Sequence, residues 1–177
     1  MNIEIERKFL VKEFDVKKAI EKIKIKQGYI SSQDGKVVRV RTFNDKAFLT
    51  VKYRKSKLSR GEFEYEIPYD DALNLLENAC SGEVLEKTRY TYPYDKKMWE
   101  IDVFEGKNKG IIIAEIELES EEEEFSLPPF IEKEVTDDKR YSNHNLAKKP
   151  VLWMNRLLKF IISKIQTVNI LELINRI

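Results

Sequence analysis

The sequence predicts an α+β fold: short antiparallel strands with helices against them, curled so that one charged face is enclosed. Three observations predict it. Six stretches alternate charged with apolar side chains at a period of two: Glu4/Glu6/Lys8, Arg39/Arg41, Glu62/Glu64/Glu66, Lys87/Arg89, Glu100/Asp102 and Glu115/Glu117. Lys52 adds a seventh. Successive side chains of a strand point to opposite faces, so each set shares one face. The sets are also sorted by sign, acidic pairs on four stretches and basic pairs on two. Finally, charged residues make up 36% of the chain, against roughly 25% in an average globular domain. An open sheet with one wet face explains the alternation but not the sorting. Closed into a barrel, the same sheet sets a basic wall against an acidic one across a tunnel, with apolar sides outward under helices.

The elements follow in order. Met1–Val11 is a strand. Asp15 is placed as the N-cap of a helix carrying Val16, Ala19, Ile20 and Ile23 and ending before Gly28. Gln27–Ser31 is a short strand, with its turn at Gln33–Gly35. Lys36–Arg41 and Ala47–Lys52 pair about Asn44–Asp45, and Lys55–Ser59 is a basic loop. Gly61–Ile67 ends at Pro68, after which Asp70 or Asp71 is expected to cap a helix bearing Leu73, Leu75 and Leu76 that ends near Ser81–Gly82. Val84–Tyr92 and Trp99–Phe104 flank a turn at Asp95–Lys96. Ile111–Leu118 is a strand, Glu121–Glu124 a solvated carboxylate turn, and Ile131–Val135 the last strand. A short helix is expected around Asn145–Ala147.

Length and composition bound the function. At 177 residues the chain fits one domain with an appendage. Lys+Arg 32 against Asp+Glu 31 does not suit a nucleic-acid binder. A single cysteine, Cys80, rules out an internal disulfide and fits a reducing, cytoplasmic setting. Glu4 and Glu6 stand where a signal peptide needs a basic and then apolar start. With one Cys and one His, thiolate and paired-imidazole metal sites are excluded. Any metal is an oxygen-liganded hard cation such as Mg²⁺ or Mn²⁺.

Charges enclosed at this density must be paired or bind ligand, since each unpaired one costs several kcal/mol. The ligand that suits such a tunnel is a polyanion with a divalent cation. Lysines and arginines hold phosphate oxygens, whereas carboxylates meet phosphate only through a metal. Phosphoryl transfer needs positioning and charge stabilisation more than covalent chemistry.

Glu4-Ile-Glu-Arg-Lys8 resembles the ExExK signature of the CYTH superfamily, the triphosphate tunnel metalloenzymes. The likeness continues in order through Val38–Arg41, Leu49–Lys52, Glu62–Glu66, Glu86–Arg89, Trp99–Phe104, Ala114–Glu117 and Glu134–Tyr141 with Asn143, covering residues 1 to 148. ExExK alone is weak; the ordered set is specific. The resemblance implies a closed eight-stranded antiparallel barrel and Mg²⁺- or Mn²⁺-dependent hydrolysis or cyclisation of triphosphates. It implies phosphate binding by Lys8, Arg39, Arg41, Lys52, Lys87, Arg89 and Lys139 or Arg140. It assigns metals to Glu4, Glu6, Glu62, Glu64, Asp102, Glu115 and Glu117, with Glu6 and Glu117 the first choices. Small one-domain bacterial members of this type are similar to inorganic tripolyphosphatases. A nucleoside or thiamine triphosphatase, an adenylate cyclase, and a non-catalytic polyphosphate-binding module remain alternatives.

Lys87 is the candidate general base or water-orienter, paired by hypothesis with Tyr29 across the tunnel; a lysine among cations, or desolvated, has a lowered pKa. His144 is read as a polar residue of the last helix, and Tyr141 and Asn143 as ordering the closing segment. Residues 151–177 change composition. Leu157, Leu158, Ile161, Ile162, Ile165 and Val168 follow helical spacing, and lysines interrupt the run too often for a spanning helix of roughly 20 apolar residues. Packing on the barrel or homodimerisation is favoured over contact with a membrane surface.

Overall fold

The computed structural model describes residues 3–55 and 59–149, with the side chains of 3, 4, 59, 60 and 83 outside that description. The strands are β1 (Ile3–Val11), β2 (Glu21–Gln33), β3 (Lys36–Phe43), β4 (Lys46–Arg54) and β5 (Ser59–Ile67), then β6 (Ser81–Tyr94), β7 (Lys97–Phe104), β8 (Ile112–Glu117) and β9 (Ile131–Glu134). Two α-helices, α1 (Tyr69–Asn78) and α2 (Asn143–Lys148), complete the element list with three 3-10 turns. The fold is an antiparallel, sheet-rich α+β architecture. Strand order is β5-β4-β3-β2-β6-β7-β8-β1-β9, and β1 also pairs with β5 through Ile3–Gly61, Glu4–Arg60 and Ile5–Ser59.

Turn chemistry sets the hairpins. Asp34 and Gly35 both adopt positive φ between β2 and β3, as do Asp95 and Lys96 between β6 and β7. Two consecutive positive-φ residues are the hairpin turn whose twist matches the strands it joins.

The stretch after Asp15 corrects the sequence reading. Asp15 does cap a turn, accepting from the Lys17 amide at 3.1 Å, but that turn is a 3-10 segment of three residues. From Glu21 the chain is strand. Ile23 and Ile25 alternate with Lys22, Lys24 and Lys26, and partners on both sides, β3 and β6, decide for the period of two. Val16 and Ile20, expected in the helical stripe, are exposed.

α1 also departs in detail. Neither Asp70 nor Asp71 caps it; Pro68 holds that position, and both aspartates lie in the first turn, where the helix dipole favours them. Ala72 and Leu76 pack on Val40 and Ala47 of β3 and β4. Gly28 permits this approach, since a Cβ there would lie 2.7 Å from Cys80 Sγ and 3.0 Å from Leu76 Cδ2.

Three apolar clusters flank the charged face. Phe9, Trp99, Ile101 and Ile116 form one beneath Phe14, Phe125 and Phe130. A second lies at the α2 end: Leu146 of α2 packs with Tyr29, Leu85, Phe104 and Ile113. The third lies under α1. The outer side of β5 has no such cover among the described residues: Phe63 is 47% exposed and Tyr65 58%. Of the expected Glu121–Glu124 turn, Glu121 and Glu122 form it while Glu123 is half-buried and pairs with Lys97, and no described helix is long and apolar enough to cross a membrane. Residues 151–177 lie outside the described residues.

Candidate active site

Register brings the alternating charges onto one face. Glu6 stands opposite Glu117 and Lys8 opposite Glu115 across β1 and β8. Glu100 is opposite Glu115 across β7 and β8, and Arg89 opposite Asp102 across β6 and β7. On the other wall, Arg39 faces Thr50, Thr50 faces Glu64, and Lys52 faces Glu62. All of these side chains except Asp102 and Thr50 line a cavity of about 1080 Å³, which Lys139, Ser142, Asn143, His144 and Asn145 border at the α2 end.

Two ion networks organise it. In the first, Arg89 Nε and Nη2 donate to Asp102 at 2.7 Å each, and Nη2 reaches Glu115 at 2.9 Å. Lys87 Nζ donates to Asp102 and to Asn143 Oδ1, the latter at 3.4 Å. Lys8 bonds Glu115 and lies 3.0 Å from Glu6. In the second, Arg41 Nη2 lies 2.9 Å from Glu64, with Arg39 at 3.3 Å from Glu64 and Lys52 at 2.9 Å from Glu62. Thr50 donates to Glu64 at 2.7 Å. Among the described residues, the buried Nε atoms of Arg39 and Arg41 have no hydrogen-bond partner. Buried donors of this kind are costly to leave unmet, and an anion entering the cavity would satisfy them.

Burial and charge set the titrations. Burial pushes Lys87 down to about 8, with Arg89 acting the same way and Asp102 opposing. Burial also pushes Lys8 down, but Glu115 and Glu6 outweigh it and hold Lys8 above the usual lysine range. Burial would raise Glu115 and Asp102; Lys8 and Arg89 keep the first well below the carboxylate range, and Arg89 with Lys87 lowers the second. Glu100 is raised by burial, against the pull of Arg89 and reinforced by Glu115 and Asp102. Arg41 is lowered by burial and by Arg39.

The CYTH domain model matches residues 2–149. The chain belongs to the CYTH family. Its sequence is 47% identical over 150 residues to the inorganic triphosphatase of Acetivibrio thermocellus, covering 85% of this chain and 96% of the relative. It is 36% identical over 148 residues to that of Nitrosomonas europaea, covering 81% and 96%. The solved structure of the inorganic triphosphatase NE1496 matches with a TM-score of 0.63 and 35% identity, over 85% of this chain and 98% of that one.

Within this CYTH domain, most expected site residues meet in one cavity: Glu6, Lys8, Tyr29, Arg39, Arg41, Lys52, Glu62, Glu64, Lys87, Arg89, Glu115, Glu117 and Lys139. Three expectations need adjustment. Asp102 is fully buried and spends both oxygens on Lys87 and Arg89, so it positions cations and does not border the cavity. Arg140 turns to Asp138 at 2.5 Å and leaves Lys139 to reach the cavity. Tyr29 and Lys87 sit on neighbouring strands, β2 and β6, not across the tunnel. The Tyr29 hydroxyl accepts from Gln27 Nε2 at 2.8 Å. The side chain of Glu4 lies outside the described residues.

The cavity also contains residues the charge pattern did not assign. Glu100 was paired with Asp102 by spacing, and it is Glu100 that borders the cavity. Gln27 and Asn145 are neutral and carry no periodic signal. His144 belongs to the last helix as expected, and its ring also meets Tyr29 edge-on at 4.9 Å.

Among the described residues, no three carboxylates already converge as a metal cluster. The donor set nonetheless suits a hard cation. Glu6 and Glu117 are register partners, Glu64 lines the same cavity, and Glu100 borders it with its carboxyl raised by burial against the pull of Arg89. Oxygen-rich, flexible carboxylates of this kind are ligands for Mg²⁺ or Mn²⁺.

Proposed function

We propose that this CYTH protein is a Mg²⁺- or Mn²⁺-dependent inorganic triphosphatase, hydrolysing tripolyphosphate to pyrophosphate and phosphate inside a closed barrel. The pairing of β1 with β5 supports closure, because it joins the two ends of an eight-strand run. The observation that carries the reading is the cavity itself. Five cations that suit phosphate oxygens, Lys8, Arg39, Arg41, Lys52 and Arg89, line it together with the carboxylates Glu6, Glu62, Glu64, Glu100, Glu115 and Glu117. Asp102 and Glu115 do not argue for a metal, since they hold Lys87, Arg89 and Lys8 in place. Glu6 and Glu117, register partners across β1 and β8 that both line the cavity, carry that argument, although Glu6 is shared with Lys8 and the neighbouring Glu100 with Arg89.

In this reading Arg39, Arg41 and Lys52 bind phosphate oxygens on one wall and Lys8 and Arg89 on the other, with Lys139 at the α2 end. Glu6 and Glu117 hold the cation, with Glu64 and Glu100 beside them. When bound, the cation neutralises charge on the phosphate chain and lowers the pKa of a coordinated water. Lys87, neutral above pH about 8, accepts one proton of the attacking water as one P–O–P bond breaks. Asp102 and Asn143 fix its Nζ. The lining favours an inorganic chain over a nucleotide. It is charged along both walls, and the rings of Tyr29 and His144 engage each other, leaving no open stacking slot between them.

The test is phosphate release from tripolyphosphate, ATP and thiamine triphosphate with each metal. Preference for an organic triphosphate would overturn the substrate assignment. Tight tripolyphosphate binding with no release under any metal would make the protein a binding module.

A further inference from the structure

Most cations of the cavity are held by carboxylates. Lys8 lies against Glu6 and Glu115, Arg39 and Arg41 against Glu64, and Lys52 against Glu62. Lys87 and Arg89 share Asp102. Arg54 and Lys139 line the same cavity, and among the described residues neither has a carboxylate partner. Both are exposed, so water can solvate the charged tips. The chain brings them to one end. Arg54 closes β4, two residues after Lys52, so both point to the same face. Its amide donates to the Gly35 carbonyl at 3.1 Å, in the turn between β2 and β3. That turn lies at the α2 end: Tyr29, near the close of β2, pairs with Ser81, and a Cβ on Gly82 would sit 3.6 Å from the Ala147 carbonyl oxygen. Lys139 opens the 3-10 turn that leads into α2. Its carbonyl accepts from Ser142 Oγ at 2.9 Å and from Asn145 Nδ2 at 2.6 Å. Backbone contacts therefore fix where each side chain starts, while no counter-ion holds its tip.

We propose that Arg54 is a further substrate-recognising residue: with Lys139 it captures the phosphate chain at the α2 end, before the chain meets the paired cations. This rests on the triphosphatase reading for its substrate. A cation beside its carboxylate shows an approaching polyanion little net charge. An unpaired one acts over about a Debye length, roughly 10 Å at 0.1 M salt. The other residues at this end, among them Ser32, Val37, Ser142 and Asn145, carry no charge that would cancel the pair. The guanidinium of Arg54 can also hold two phosphate oxygens at once. Capture governs how fast substrate and enzyme associate, so Arg54 acts on kcat/KM and in a salt-dependent way. The paired cations deeper in the cavity act on the chemical step.

The test compares Arg54→Gln and Arg54→Glu with the unaltered full chain. At low ionic strength Arg54→Glu should lower kcat/KM for tripolyphosphate by about tenfold or more. Arg54→Gln should fall between, and kcat should change far less in both. The deficit should shrink in 1 M NaCl, where the screening length is about 3 Å. Calorimetric titration with tripolyphosphate in EDTA should rank the three proteins in the same order, and this readout needs no turnover. Binding that depends on Arg54 in a protein that releases no phosphate would sink the triphosphatase reading and uphold the capture role. Unchanged kcat/KM and affinity in Arg54→Glu would overturn the inference. So would equal, salt-insensitive losses in kcat and kcat/KM, the mark of a group acting only in the transition state. A lowered urea midpoint in both variants would assign the loss to the fold and overturn it too. No tripolyphosphate binding by the unaltered protein would overturn both readings.

Discussion

Replacing Asp102 with Asn keeps the shape of the side chain and removes one charge from a fully buried network. Lys87 and Arg89 then remain buried with Glu115 as a close carboxylate neighbour of both, and Arg89 also keeps Glu100. Breaking a buried ion pair by removing one partner costs about 3–5 kcal/mol; the isosteric amide should fall at the low end, about 3 kcal/mol. The variant also acts on titration. Asp102 opposes the burial that lowers Lys87, so without it Lys87 releases its proton more easily still. An ion pair at about 4 Å and an effective dielectric of 20 is worth about 4 kcal/mol. Since about 1.4 kcal/mol moves a pKa by one, the midpoint of the pH–rate curve should fall by up to about three pH units. Urea denaturation at pH 7 measures the first effect. The pH dependence of kcat/KM for tripolyphosphate measures the second. A loss under about 1 kcal/mol together with an unmoved midpoint would refute the argument that Asp102 holds the cations and tunes Lys87.

Three further outcomes are expected. In the unmodified protein kcat/KM should rise with pH through about 8, where Lys87 loses its proton; a fall there would show that the charged lysine is required. The same group gives a stability trend: the unfolded chain holds this proton up to 10.5, so urea midpoints should contain a rising contribution between pH about 8 and 10.5. Glu6→Gln and Glu117→Gln should raise the Mn²⁺ concentration needed for half-maximal activity; unaltered metal titrations would remove both from the ligand set. Gly28→Ala should cost about 1–3 kcal/mol through overpacking against Cys80 and Leu76. Cys80→Ala in the same background should restore part of that, and no recovery would contradict the packing account.

The charged walls were legible because their residues alternate within single strands, so pattern and face coincide. β2 was misread because its inward face is uncharged. Ile23, Ile25, Gln27 and Tyr29 turn to the side of Lys87 and Arg89, and the lysines between them point away. Local spacing there is compatible with a helix, and only pairing with β3 and β6 decides otherwise. The division of labour among carboxylates was equally hidden. Glu100 and Asp102 have the same spacing to their neighbours, yet register drives Asp102 beneath Arg89 and leaves Glu100 at the cavity. Asn143 and His144 come to the site through α2, whose position depends on Leu146 packing with Tyr29, Leu85, Phe104 and Ile113. No periodicity along the chain encodes that contact.

The central claim is metal-assisted hydrolysis of an inorganic triphosphate in this cavity. The most direct test is phosphate release from tripolyphosphate, pyrophosphate, ATP and thiamine triphosphate, each with Mg²⁺, Mn²⁺ or EDTA. The account predicts fast release from tripolyphosphate that EDTA abolishes, with the other substrates slower. Release that persists in EDTA, or that is faster from ATP or thiamine triphosphate, would contradict it.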